Sequence, residues 1–168
     1  MYDLLRVLHS VNRWLVLSVL VVAVARAVRG WRAGAAWTPT DERVGAVTSG
    51  LADLQMLLGL LLYALFSPLT RAAFRDFSTA MADDTLRFWL LEHAPVMLVA
   101  VVLVHVGKLR SARRGARDGT ASTDDGPQAP PWSAHRMAAT WYGMALIVIL
   151  AAIPWPFLEY GRPLLPWG

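Results

Sequence analysis

Two histidines placed inside apolar stretches are the residues of this 168-residue chain best suited to chemistry. His9 lies about one turn into the first stretch, and His93 lies roughly 9 Å into the third. Neutral imidazole is a common axial ligand of haem iron, and helical bundles hold cofactors between facing helices. The matched depths predict that His9 and His93 are metal ligands. The competing interpretation makes each an interfacial or hydrogen-bonded core residue without a metal.

The other two histidines form a second possible pair. His93 and His105 are separated by about 18 Å along one helix, a spacing that could stack two macrocycles through a membrane. Their side chains, however, differ by about 120° in azimuth. His135 begins the fourth apolar stretch beside Arg136, where water or lipid headgroups reach it. We therefore expect His105 and His135 to be interfacial residues.

Three charged residues inside the apolar stretches are further candidates, because charges in hydrocarbon are costly and mark functional sites. Arg13 follows His9 by one helical turn and shares its face. We expect Asp53 to neutralise Arg13, either as part of a site or as a structural pair that fixes helix register. A carboxylated cofactor is the alternative anion. Glu92 is expected to be buried beside His93.

Gln55 and Gly59 share one face of the second stretch. Glycine allows a second helix or a ring to approach closely, and the Gln55 amide can donate a hydrogen bond. We interpret Gly59 as a close-packing residue. The candidate cofactor-binding set is therefore His9, Arg13, Asp53, Gln55, Glu92 and His93, and no catalytic residue is predicted.

Four apolar stretches must position these side chains. They are roughly Leu5–Ala25, Gly45–Phe66, Phe88–Gly107 and Ala134–Ile153. Each is long enough to cross a hydrocarbon core of about 30 Å as a helix, and a bilayer offers no water to unpaired backbone groups. The segment Trp14–Ala25 is apolar on every side, which excludes a soluble amphipathic helix. These features predict a single integral membrane domain, an all-α transmembrane up-down four-helix bundle.

The charge distribution predicts the orientation. Most basic residues flank the first and third connections, whereas the second connection and the tail balance theirs with acids. The positive-inside rule then places the first and third connections in the cytoplasm and both termini in the periplasm. Arg26-Ala-Val-Arg29 stands where a signal peptide would need a small-residue cleavage site, so the first stretch is expected to be a retained helix. The predicted location is the bacterial cytoplasmic (inner) membrane.

The connections carry their own signals. Ser111–Pro131 is rich in Gly, Ser, Asp and Pro and is expected to be a mobile cytoplasmic linker. Asp83-Asp-Thr85 is typical of an N-cap for the third helix. Pro154 and Pro156 should end the fourth helix. The tail, 154–168, is expected on the outer membrane surface or on a partner. Its interfacial aromatic residues are Trp155, Phe157, Tyr160 and Trp167.

Three segments carry a family resemblance: His9-Ser-Val-Asn-Arg-Trp-Leu-Val-Leu17, Leu54-Gln-Met-Leu-Leu-Gly-Leu-Leu-Leu-Tyr63 and Glu92-His93. They resemble small four-helix bacterial membrane proteins labelled cytochrome b-like. They are also similar to one four-helix half of haem A synthase, whose halves bind haem between histidines. One departure stands out, because such proteins usually have a histidine where this chain has Asp53. If that histidine is an essential ligand, the resemblance implies a scaffold that has lost its haem.

The leading functional prediction is a non-catalytic haem b protein for electron transfer. Its expected partners are the lipid bilayer, a quinone and other membrane subunits of a larger complex. The alternative is a cofactor-poor accessory subunit of a respiratory or photosynthetic complex. An enzyme of haem modification is disfavoured, because only one half of the synthase pattern is present.

Several classes are excluded by composition. The chain has no cysteine, which rules out disulfides, iron–sulfur clusters, thiolate zinc sites and covalently attached haem. Its net charge of +4 reflects membrane topology rather than nucleic-acid binding. The sequence contains no complete hydrolase triad, metalloprotease His-Glu-x-x-His motif or P-loop.

Overall fold

The computed structural model describes residues 1–119 and 130–164. Four long helices are α1 (Tyr2–Arg32), α2 (Pro39–Leu61), α6 (His93–Gly119) and α7 (Ser133–Ala152). Three short helices between α2 and α6 are α3 (Pro68–Arg75), α4 (Phe77–Ala82) and α5 (Asp84–Arg87). A π-helical turn at Leu62–Phe66 extends α2, and a second at Phe88–Glu92 joins α5 to α6. No strand occurs among the described residues, so the all-α prediction is confirmed.

Four helical segments are long and apolar enough to cross a membrane. They are Tyr2–Arg32, Pro39–Phe66, Asp84–Arg117 and Ser133–Ala152. Their length and composition indicate a multi-pass membrane protein. The first three are longer than the apolar stretches from which they were predicted. Arginine is a good helix former whose long side chain can extend toward water, so the basic segments beyond the apolar stretches stay helical.

The four long helices pack in a closed ring of contacts. Helix α1 packs against α2 and α7, and α6 packs against the same two neighbours. The shared core contains Leu20 and Val104, both fully buried. Small residues on three helices let the backbones approach closely: Ala23, Ala27, Ala100, Ala138 and Ala145. Helix α1, which carries His9, and helix α6, which begins at His93, are therefore both held by α2 and α7.

The connection between α2 and α6 is helical rather than an open loop. Each short helix has a side-chain N-cap, because free first-turn amides need an acceptor. Ser67 accepts from Thr70 N at 3.4 Å, and Asp76 accepts from Thr79 N at 3.0 Å. The hydrogen bonds from Thr79 hold the pKa of Asp76 below its usual range. Asp83 accepts from Leu86 N at 2.8 Å, which confirms the N-cap prediction at this position.

The predicted mobile linker at Ser111–Pro131 is wrong for its first nine residues, because α6 continues to Gly119. The hydroxyl of Ser111 is buried and donates to the carbonyl of Gly107 at 2.7 Å. Gly115 packs tightly against Trp37. Arg114 Nε donates to Ser133 Oγ at 2.8 Å. These contacts hold the end of α6 on the other helices, while residues 120–129 lie outside the described part of the chain.

Candidate haem-ligand site

Helices α1 and α6 bring His9 and His93 together near their first turns. We call His9, Arg13, Trp89 and His93 the histidine cluster. The two imidazoles are close enough to interact electrostatically, and Arg13 interacts with both. The Trp89 and His93 rings lie 5.3 Å apart between centroids. His9 and His93 therefore lie in the same region of the fold.

A hydrogen bond fixes the orientation of His93. Its Nδ1 lies 3.0 Å from the carbonyl oxygen of Ala152, at the end of α7. A carbonyl oxygen only accepts, so Nδ1 carries the hydrogen and Nε2 keeps its lone pair. Histidines that ligate metals usually donate their second ring N–H in this way. Phe88 packs on the same ring at a centroid distance of 5.6 Å, and together these contacts set the ring plane.

The ring of His9 lies on Gly59 of α2. A Cβ built at Gly59 would stand 3.2 Å from His9 Cε1, a tight contact that would require the imidazole to shift by a few tenths of an ångström. His9 Nδ1 is buried without a hydrogen-bond partner. The close approach predicted for Gly59 is made to a ring, that of the candidate ligand itself.

An amide network ties this part of α1 to α2. Gln55 Nε2 donates to the backbone carbonyl of His9 at 3.1 Å. Asn12 Nδ2 donates to Gln55 Oε1 at 2.8 Å and to the carbonyl of Leu51 at 3.0 Å. Gln55 thus positions His9 through its backbone. Asn12 was not among the candidate residues predicted from the sequence, although its three-residue spacing from His9 places both on one helical face.

Unpartnered donors gather around the histidine cluster. Arg13 Nε and Trp89 Nε1 are buried without a hydrogen-bond partner within the described ranges. Buried polar groups are normally hydrogen-bonded, so two unpartnered N–H groups in one cluster are unusual. They are suited to a ligand that carries carboxylates.

Another nitrogen of the Arg13 guanidinium, Nη2, binds the C-terminal tail. Arg13 Nη2 donates to the carbonyl of Leu164 at 2.8 Å, and Trp14 Nε1 donates to the same oxygen at 3.0 Å. Leu164 of the tail therefore contacts α1. The sequence had predicted that the tail would lie on the membrane surface or on a partner. Helix α7 ends at Ala152, just before Pro154, as predicted.

The expected Arg13–Asp53 pair is wrong. Asp53 Oδ1 lies 2.7 Å from His105 Nε2, and the two side chains are 50% and 40% exposed. Asp53 sits on the face of α2 that is turned away from α1. Sequence spacing gives the faces within one helix, but only packing decides which face meets α1.

Glu92 is not buried beside His93, although the two are adjacent in the chain. Its carboxylate accepts from Arg87 Nε at 3.1 Å, and its side chain is 46% exposed. Successive residues of a helix point about 100° apart. With His93 turned into the core, Glu92 turns outward.

A separate polar cluster lies at the other end of α1, formed by Arg26, Thr38, Asp41 and His135. Asp41 is buried and accepts from Arg26 Nη2 at 2.8 Å. Thr38 and Asp41 form a reciprocal capping box at the start of α2. The four-residue pattern Thr38-Pro-Thr-Asp41 was the sequence signal for it. A cavity of about 390 Å³ adjoins this cluster, lined by residues that include Trp37, Asp41, Lys108 and Tyr142.

His135 is buried in that cluster at 3% exposure, so the interfacial prediction for it is wrong. Its Nε2 lies 3.2 Å from the carbonyl of Ala36, and its ring packs against Gly30 and Trp37. Gly30 leaves the space that the imidazole fills. His105 has a different partner, Asp53, and the two histidines do not form a second ligand pair.

The histidine cluster offers two imidazoles and unpartnered N–H donors. No group of three or more His, Asp or Glu side chains that could hold a metal ion occurs in the described ranges. A haem needs only axial ligands from the protein, because its macrocycle supplies the other four nitrogens. No family model, curated protein or solved structure matches this chain.

Proposed function

We propose that this chain is a haem b protein of the bacterial cytoplasmic membrane, with His9 and His93 as the axial ligands. The observation that carries the proposal is the anchoring of His93. Its Nδ1–H is bound to the Ala152 carbonyl beside the second imidazole, which leaves Nε2 free for iron. Both residues lie near the starts of apolar helices.

The other residues of the cluster suit the remaining parts of a haem. Arg13 and Trp89 would supply N–H donors to the propionate carboxylates. Gly59 would hold the His9 ring in place through close contact. When bound, haem supplies one-electron transfer between ferric and ferrous iron. We propose a quinol or a neighbouring redox subunit as the electron-exchange partner.

Asp53 bears on this proposal because the resembled proteins have histidine at its position. In this fold Asp53 is bonded to His105, about 18 Å along α6 from His93. Aspartate at position 53 therefore leaves both candidate axial ligands, His9 and His93, in place. A single haem at His9 and His93 is compatible with it.

We further propose an up-down bundle in which α1 and α6 begin on the periplasmic side and both termini are periplasmic. The support is the concentration of basic residues in the first and third connections. Alkaline phosphatase fused after Gly168 should be active, and the same enzyme fused after Thr120 should be inactive. The reversed pattern would overturn this orientation.

The decisive experiment on the cofactor is a visible spectrum of the protein purified in mild detergent from haem-replete cells. We expect a six-coordinate low-spin haem with sharp α and β bands after reduction. His9→Ala and His93→Ala should each abolish or convert these bands. His135→Gln is the matched control, because it changes a buried histidine in the separate polar cluster.

A colourless preparation that elutes as a single folded species would reject the haem proposal. The accessory-subunit alternative would then be favoured, with the same four apolar helices serving as a scaffold. Haem bands that persist in both the His9→Ala and His93→Ala variants would reject these two ligands while retaining a haem.

A further inference from the structure

The cavity of about 390 Å³ beside the separate polar cluster lies between α2, α6 and α7. Its walls come from the start of α2, the second half of α6 and the connection after α1. The histidine cluster lies at the opposite end, near the starts of α1 and α6. A cavity of this size suits a small organic ligand rather than a bare ion. The haem proposal makes no use of it, so its occupant is independent of the cofactor.

Two basic side chains on the walls of this cavity have no acidic partner. Arg43 of α2 and Lys108 of α6 form no ion pair or hydrogen bond within residues 1–119 and 130–164. Asp41 also lines the cavity, but it is already paired with Arg26 at 2.8 Å. Glu42 adds one carboxylate at an exposed position. Two unpaired cations therefore face one unpaired acid, and the lining favours an anion.

Two aromatic side chains of the walls carry hydrogen-bond donors that the fold leaves unused. Tyr142 is 2% exposed, and its hydroxyl has no hydrogen-bond partner in the described part of the chain. The nearby Ser111 hydroxyl donates instead to the carbonyl of Gly107 at 2.7 Å. Trp37 Nε1 is likewise buried without a partner there. An indole N–H can only donate, so the group that would satisfy it is an acceptor.

Glycine packing brings the Tyr142 hydroxyl close to Lys108. A Cβ built at Gly45 of α2 would stand 2.8 Å from that hydroxyl and 3.9 Å from Lys108 Cγ. A Cβ built at Gly107 of α6 would stand 2.9 Å from Tyr142 Cε1. The ring therefore lies between two glycines, which fix its hydroxyl at the cavity wall beside a cation.

We propose that this cavity binds an anionic phosphate ester. The phosphate oxygens accept hydrogen bonds from Trp37 and Tyr142, and the charges of Arg43 and Lys108 neutralise them. A neutral carbonyl ligand would use the two donors but would leave both cations without a counter-ion. Basic pockets between membrane-spanning helices bind the head groups of anionic lipids, and a soluble phosphate ester presents the same oxygens.

Thermal unfolding of the full chain in neutral detergent tests this site. The probes are dioleoyl phosphatidylglycerol in mixed micelles, glycerol 3-phosphate and inorganic phosphate. We expect phosphatidylglycerol to raise the unfolding temperature, and its concentration dependence gives an apparent Kd. Lys108→Gln should raise this Kd by about tenfold and Tyr142→Phe by about threefold. Arg113→Gln is the matched control, because it removes one positive charge from an exposed position of α6 outside the cavity.

The Tyr142→Phe variant keeps the test valid if Lys108→Gln is unstable. It retains the ring and loses a hydroxyl that has no partner in the described part of the fold, so it should unfold at the wild-type temperature without ligand. Equal stabilisation by glycerol 3-phosphate and by the lipid would assign the site to a soluble ester. Stabilisation by the lipid alone would assign it to the membrane.

Three results would overturn the proposal. The first is no stabilisation by any of the three probes. The second is an unchanged Kd in both Lys108→Gln and Tyr142→Phe. The third is equal stabilisation by dioleoyl phosphatidylcholine, whose head group has no net charge, because this would indicate binding through the acyl chains.

Discussion

The imidazole of His93 donates to the carbonyl oxygen of Ala152 at 3.0 Å, and this bond completes the end of α7. In a continuing helix that carbonyl would accept from the N–H four residues later. The residue there is Pro156, which has no N–H. His93 thus supplies the donor that the proline-rich end of α7 lacks, and a candidate iron ligand is held in place by a helix terminus.

The first prediction concerns this bond in protein without haem. His93→Leu should lower the free energy of unfolding by about 1–3 kcal/mol, because it leaves a buried carbonyl unsatisfied. His93→Gln should lose less, since its amide can still donate. Thermal unfolding of haem-free protein in detergent measures both. Equal losses in the two variants would show that the hydrogen bond does not stabilise the fold.

The second prediction concerns the contact of Gly59 with His9. In Gly59→Ala the new methyl would stand 3.2 Å from His9 Cε1 and push the ring away. We expect a loss of about 1–3 kcal/mol in unfolding free energy and a lower haem content per protein. Gly143→Ala is the control, because a Cβ there meets nothing within 4 Å. Similar behaviour of the two alanine variants would contradict the close contact.

The third prediction concerns the amide network between α1 and α2. Asn12→Ala removes two hydrogen bonds and leaves Gln55 Oε1 without its donor, so unfolding free energy should fall by about 1–3 kcal/mol. Ser18→Ala, at an exposed position of the same helix, should have almost no effect. A double-mutant cycle with Gln55→Ala should give a coupling energy of about 0.5–3 kcal/mol. Strict additivity would mean that the two amides are independent.

The fourth prediction concerns the start of α2. Asp41→Asn weakens the ion pair with Arg26 and the capping box with Thr38 together, and we expect a loss of about 2–4 kcal/mol. Glu42→Gln is the neighbouring control, because Glu42 is exposed and forms no ion pair within the described ranges. Chemical denaturation in mixed micelles compares the two. A loss as large for Glu42→Gln would point to net charge rather than to these contacts.

Local sequence signals predicted the elements well wherever short-range physics determines them. Runs of apolar residues predicted the four long helices, because bilayer thickness and backbone hydrogen bonding dictate their length and type. Asp83 was recognised as an N-cap, and Pro154 marked the end of α7 within two residues. The basic segment after Ser111 was misjudged, since contacts with distant Trp37 and Ser133 hold it helical.

The sequence by itself determined that His9 and His93 sit near the starts of apolar helices, and that Arg13 shares the face of His9. Only the tertiary structure decided the partners: Leu164 for Arg13, His105 for Asp53 and Arg87 for Glu92. The physical reason is that helical periodicity gives the angular positions of side chains around one helix. The bonding partners of those side chains depend on how each helix is rotated about its axis relative to its neighbours. Packing of small residues and the π-helical turn before His93, neither of which a single motif encodes, set that rotation.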